Sequence, residues 1–95
     1  MAAVTRIGDL DVTHCSTPSR DQGSENVLVN GIGVSRQGDL NTVHKVPGSP
    51  CPSHAASIST GSTTVFINGK GCGRVGDAVT GCTSVAQGSE NVFAG

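Results

Sequence analysis

Wide side chains are almost missing from this sequence. Of its 95 residues two are Phe and one is Met, and there is neither Trp nor Tyr. Such a chain buries Val, Ile, Leu and Ala, but it has little with which to fill a thick core. On area arithmetic a small domain of this kind comes out near zero net stability unless something staples it. Four Cys and three His are the residues able to do so. Positive charge is thin as well. The six basic residues, Arg6, Arg20, Arg36, Lys45, Lys70 and Arg74, are scattered singly, and the net charge is −1. With no basic stripe to neutralise phosphates and no aromatic platform for bases, nucleic-acid binding is not expected. No apolar run approaches the ~20 residues of a membrane-spanning helix. The opening Met-Ala-Ala-Val-Thr-Arg has neither the charged nor the apolar region of a signal peptide. Synthesis in the cytoplasm, with any export proceeding without a cleaved leader, is therefore the expectation. Thiols stay reduced there, which favours metal over disulfide as the use of the Cys.

What the chain does have is Gly, 14 of them, with 4 Pro and many Ser and Thr. That composition predicts turns and short strands, an all-β fold. It also has a repeat. Gly23-Ser-Glu-Asn-Val-Leu-Val-Asn-Gly-Ile-Gly-Val-Ser-Arg-Gln-Gly-Asp39 aligns without a gap on Gly61-Ser-Thr-Thr-Val-Phe-Ile-Asn-Gly-Lys-Gly-Cys-Gly-Arg-Val-Gly-Asp77. A third copy is divided between the chain ends. Gly88-Ser-Glu-Asn-Val92 repeats Gly23 to Val27, and Thr5-Arg6-Ile7-Gly8-Asp9 matches Ser35 to Asp39. Counted from Gly95 into Met1, Val92 to Asp9 is the same twelve steps as Val27 to Asp39. Residues 1–95 thus read as one domain, a three-unit ring cut inside one unit, with Met1 and Gly95 as neighbours. A tandem solenoid with polar caps is the plainer alternative, but the divided copy fits it badly. In each unit Val27-Leu28-Val29 or Val65-Phe66-Ile67 is a β-prone run followed by Asn-Gly, a hairpin signal. Second strands are expected through Val34–Arg36 and Cys72–Val75, with a long loop after each Gly-Asp. Three such hairpins round an axis predict a small triangular, three-sided, pseudo-threefold β body.

Five residues after each Gly-Asp aspartate stands a zinc-ligand type: His14 after Asp9, His44 after Asp39, Cys82 after Asp77. Threefold closure would gather these positions on the axis. Structural zinc takes four ligands. The fourth is expected from the one departure from the repeat, since Asp9 to Asp39 spans 30 residues and Asp39 to Asp77 spans 38. The extra segment, Val46 to His54, carries His54 and also Cys51, its rival for the place. Cys72 aligns with Val34 and reads as a small buried hydrophobe. Cys15 aligns with Lys45 and Thr83, and a Cys15–Cys51 disulfide is the competing use of those thiols. Each Gly-Asp reads as a turn whose carboxylate accepts backbone N–H groups. Arg6, Arg36 and Arg74 are expected to bridge neighbouring units.

Ala2-Ala3-Val4-Thr5-Arg6-Ile7-Gly8-Asp9 resembles a relaxed form of the opening Pro-Ala-Ala-Arg-x-Gly-Asp of the PAAR-repeat proteins, without the initial Pro. The three repeats and the His/Cys set extend the resemblance over essentially the whole chain. It implies a sharp cone capping a trimeric β-helical spike of type VI secretion systems or contractile phage tails. It also implies a tip zinc held by three His and one Cys, here His14, His44, His54 and Cys82, with iron the less favoured metal. The resemblance further implies a membrane-piercing structural role, with one monomeric tip per trimer, the target cell envelope as the surface met, and no small-molecule substrate. Because the sequence ends at Gly95, a bare tip without effector cargo is expected, on a virion tail baseplate or exported by type VI secretion. Two other classes compete. A zinc hydrolase using His14, His44 and His54 would need an open metal position and a general base. Glu25 and Glu90 lie far in register from the ligand position, and Cys82 would close the site. A disulfide-stapled secreted binding module would need the leader that the sequence lacks.

Overall fold

The computed structural model describes residues 1–13, 17–43, 55–81 and 83–95. It is all-β, with no helix among the described residues, and its principal extents are 40 × 23 × 21 Å. Among the described residues six two-residue strands form three antiparallel hairpins: β2 (Leu28–Val29) with β3 (Ile32–Gly33), β4 (Phe66–Ile67) with β5 (Lys70–Gly71), and β6 (Phe93–Ala94) with β1 (Ala2–Ala3). The first two turn through Asn-Gly. Asn30 and Gly31 have φ of 55° and 77°, Asn68 and Gly69 of 53° and 80°, the positive pair that a type I′ turn demands. In the third hairpin the two ends of the chain take the place of that turn, with Ala2 paired to Ala94 and Ala3 to Phe93. A circular permutant with Gly95→Asn joined to Met1→Gly, reopened between Asn68 and Gly69, is therefore expected to keep the fold. Far-UV circular dichroism and thermal melting check it, and an unfolded permutant would contradict the cyclic layout.

The paired second strands begin directly after each turn, earlier than the expected Val34–Arg36 and Cys72–Val75. Val34 and Cys72 still donate to Val27 O and Val65 O of their own hairpins, and these stretches also pair with other units through the bridges Arg6–Val34, Arg36–Cys72 and Val4–Arg74. The run from Ala2 to Arg6 meets three different neighbours in turn, the consequence of three strands packed round one axis. On that axis the backbone closes a ring. Ser35 N–H donates to Thr5 O at 3.0 Å, Gly73 N–H to Ser35 O at 3.0 Å and Thr5 N–H to Gly73 O at 3.1 Å. A Cβ on Gly73 would stand 2.5 Å from Ser35 O, so the third member of the ring has none.

Beyond each Gly-Asp the chain forms ladder before it becomes loop. Bridges 10–19, 40–57 and 78–84 form three arms, and bridges 20–41, 58–79 and 11–85 join arm to arm into a second closed ring. Two small apolar cores result. Val4, Val34, Cys72 and Ala94 lie among the hairpins, and Ala56, Ile58, Val79 and Val85 among the arms.

Candidate functional site

The repeated Arg-x-Gly-Asp is one device used three times. Asp9 N–H donates to Arg6 O at 3.0 Å, Asp39 to Arg36 at 2.9 Å and Asp77 to Arg74 at 3.0 Å, closing a four-residue turn. The third residue, Gly8, Gly38 or Gly76, has φ of 92°, 90° or 94°, the left-handed geometry of a type II turn that a side chain resists. The Asp carboxylate then folds back. Its Oδ2 accepts the backbone N–H of the Arg at 2.9, 2.8 and 2.7 Å, as the turn reading expects. The same carboxylate takes the guanidinium on both oxygens, for instance Nε–Oδ2 at 2.8 Å and Nη2–Oδ1 at 3.1 Å in Arg36–Asp39. That hydrogen bond holds each guanidinium more firmly in its charged form. The Arg residues thus serve chiefly their own turn. Bridging to the next unit is a second contact, from Arg6 Nη1 to Asn30 Oδ1 and from Arg36 Nη1 to Asn68 Oδ1, each at 3.0 Å. The corresponding position for Arg74 is Gly95, which has no carboxamide to offer.

From these turns the chain enters the arms, and the described flanks of the arms are tied to one another. Val12 N–H donates to Ser84 O at 2.8 Å, Thr42 N–H to Ser19 O at 2.8 Å and Thr80 N–H to Ser57 O at 2.9 Å, linking all three. Thr83 Oγ1 adds a bond to Val12 O at 2.7 Å.

Comparison with known families agrees with this architecture. The family described as the PAAR motif matches residues 48–95, just over half of the chain. The chain belongs to the PAAR-motif family. Comparison with curated proteins gives no match. A PAAR-motif protein has its role at the spike tip of type VI secretion systems and phage tails, in association with a spike trimer. The matched residues contain the Arg74-Val75-Gly76-Asp77 turn, and residues 6–9 repeat its geometry.

The expected metal ligands His14, His44, His54 and Cys82 all lie outside the described residues, as do Cys15 and Cys51. Among the described residues no group of three His, Cys, Asp or Glu could hold a metal ion. Cys72 is described, and it is the buried hydrophobe that its alignment with Val34 predicts, 1% exposed in the hairpin core. Burial pushes its thiol up, away from the reactive thiolate.

The arms also enclose a polar cluster that the repeat alone does not announce. Their interior holds six positions in two threefold sets: Asp11, Asn41 and Val79, and Arg20, Ile58 and Val85. Three are apolar and three are not. Arg20 Nη2 meets Asp11 Oδ2 at 2.7 Å, with both side chains fully shielded from solvent. Asn41 Nδ2 donates to the same oxygen at 3.1 Å, and Asn41 Oδ1 accepts Ala56 N–H at 2.8 Å. The one signal in the sequence is the alignment of Arg20 with two apolar residues, which marks an interior place.

Proposed function

We propose that residues 1–95 act as one domain of three repeats, one split between the chain ends, that forms the pointed cap of a trimeric β-helical spike. The role is structural, piercing a target cell envelope, and a bound zinc pins the vertex. The observation that carries this reading is the axial ring of Thr5, Ser35 and Gly73 with one hairpin from each unit around it. A single chain thereby offers three near-equivalent strand edges. The open end of a threefold β-helix requires such edges to continue its ladder, a form of β-augmentation.

The donor set fits the metal. Three imidazoles and a thiolate suit zinc in a closed tetrahedron better than iron. His14, His44 and Cys82 fall at one repeat position, five residues beyond three turns of the same geometry, and His54 comes from the insertion in the second arm. Zinc there would supply bonds between arms whose own core is half polar. Assembly on a tail baseplate or at a type VI secretion spike, without a cleaved leader, completes the reading. Native mass spectrometry of the tip with its spike protein tests it. The expected particle has one tip on three spike chains, and three tips per trimer would refute the proposal.

A further inference from the structure

The chain has two Phe, and it buries neither of them in a core. Phe66 is 59% exposed and Phe93 49%. They occupy one repeat position, and its third occupant, Leu28, is 56% exposed. In every hairpin this is the first residue of the strand entering the turn position, at the start of β2, β4 and β6. The residues next to it, Val27 and Val29, Ile67, Val92 and Ala94, belong to or pack on the hairpin core. Strand alternation therefore turns Leu28, Phe66 and Phe93 outward. Across the hairpin each is paired with a residue of minimal size, Gly33, Gly71 or Ala3, so its flank is left uncovered. A protein with so few wide side chains would gain most by burying them. Instead all three units hold theirs in water at one place.

We infer that Leu28, Phe66 and Phe93 are anchors that seat in three identical apolar pockets of a homotrimeric partner, one pocket per partner chain. The inference rests on the spike-tip reading and adds the side chains that grip. The anchors stand on three separate hairpins around one axis, so a partner seated on one hairpin reaches only one of them. A trimer whose rim receives the three hairpins covers every anchor and presents the same pocket each time. Because those pockets are equal, the three positions must matter about equally, whereas an asymmetric partner would depend on one.

The test is binding of the wild-type tip to the purified trimeric spike protein of the same particle by isothermal titration calorimetry. It is repeated for Leu28→Ser, Phe66→Ser, Phe93→Ser and the triple variant. Each single change is expected to weaken binding by similar factors, roughly tenfold, from the apolar area lost, and the triple variant to abolish it. Leu28→Phe, which cannot fail for want of apolar surface, is expected to tighten binding. Val43→Ser, at an exposed apolar residue of an arm, should leave it unchanged. A parallel arm uses anionic phospholipid vesicles. If the wild-type tip ignores the trimer, the spike-tip reading falls and this inference with it. Equal binding by wild type and triple variant overturns the inference alone, as does a loss seen only with vesicles, which would give the anchors to a membrane.

Discussion

Asp11→Val is expected to destabilise the protein by about 3–5 kcal/mol, the usual result of leaving a buried partner charge uncompensated. The size of the effect is not obvious from the repeat, since the third copy already has Val79 at this position. In the wild-type chain Asp11 is the counter-ion of Arg20, whose guanidinium also reaches Asp39 O at 3.3 Å and has no access to water. Remove the carboxylate and a positive charge stays inside the arm ring, beside Ile58, Val79 and Val85. Asp11→Val with Arg20→Ile should behave differently. It copies Val79 and Ile58, the residues that the third and second arms use, and removes both charges together. The double variant is expected within about 1–3 kcal/mol of wild type, the remainder being the Asn41 amide that has lost Asp11 as acceptor. Urea unfolding of the four proteins in a double-mutant cycle checks it. Additive losses would show that the two residues do not act as a pair.

Stripping zinc is expected to have the larger effect, on the order of 10 kcal/mol in apparent stability, near the range of structural zinc in small domains. That is comparable with the whole stability of an ordinary protein, about 5–15 kcal/mol. The loss should be uneven across the molecule. The hairpin end has its own core of Val4, Val34, Cys72 and Ala94 and the axial backbone ring. The arm end has its own ring of bridges round an interior that is half polar and, on the proposed reading, the metal. After chelation, amide exchange at Asp11, Asn41, Val79 and Val85 should accelerate far more than at Val34 and Cys72. Acid should mimic the chelator, because imidazoles and thiolate bind metal only when deprotonated. Elemental analysis is expected to give one zinc per wild-type chain and little in His14→Ala, His44→Ala, His54→Ala or Cys82→Ala. Loss of metal in Cys51→Ala with retention in His54→Ala would transfer the fourth place to Cys51. A chain that purifies folded and metal-free, indifferent to chelator, would remove zinc from the account.

Much of this architecture is written locally, and local chemistry is what a sequence displays. Asn30-Gly31 and Asn68-Gly69 announce their hairpins because few residues accept two successive positive φ angles. Gly8-Asp9, Gly38-Asp39 and Gly76-Asp77 announce turns for the same steric reason, and the Asp carboxylate finds its partners within three residues. The phase of the divided third copy announces that the ends meet, and Cys72 declares its burial by standing where Val34 stands.

The three-dimensional arrangement decided the rest. Nothing local tells the run after Asn-Gly to change neighbours along its length, so β-propensity places the second strands later than they begin. That exchange of neighbours comes from three units closing on one axis and satisfying their N–H groups across it, through Thr5, Ser35 and Gly73. Arg20 betrays its interior place only by aligning with Ile58 and Val85, and its partner stays hidden, because Asp11 is nine residues away on the facing ladder of the arm. The two Phe look like core residues until the small cores form and fill with Val, Ile, Cys and Ala, which leaves Phe66 and Phe93 outside with Leu28. Periodicity and turn chemistry specify units; closure of the ring specifies which side chains are shut in and which stay exposed.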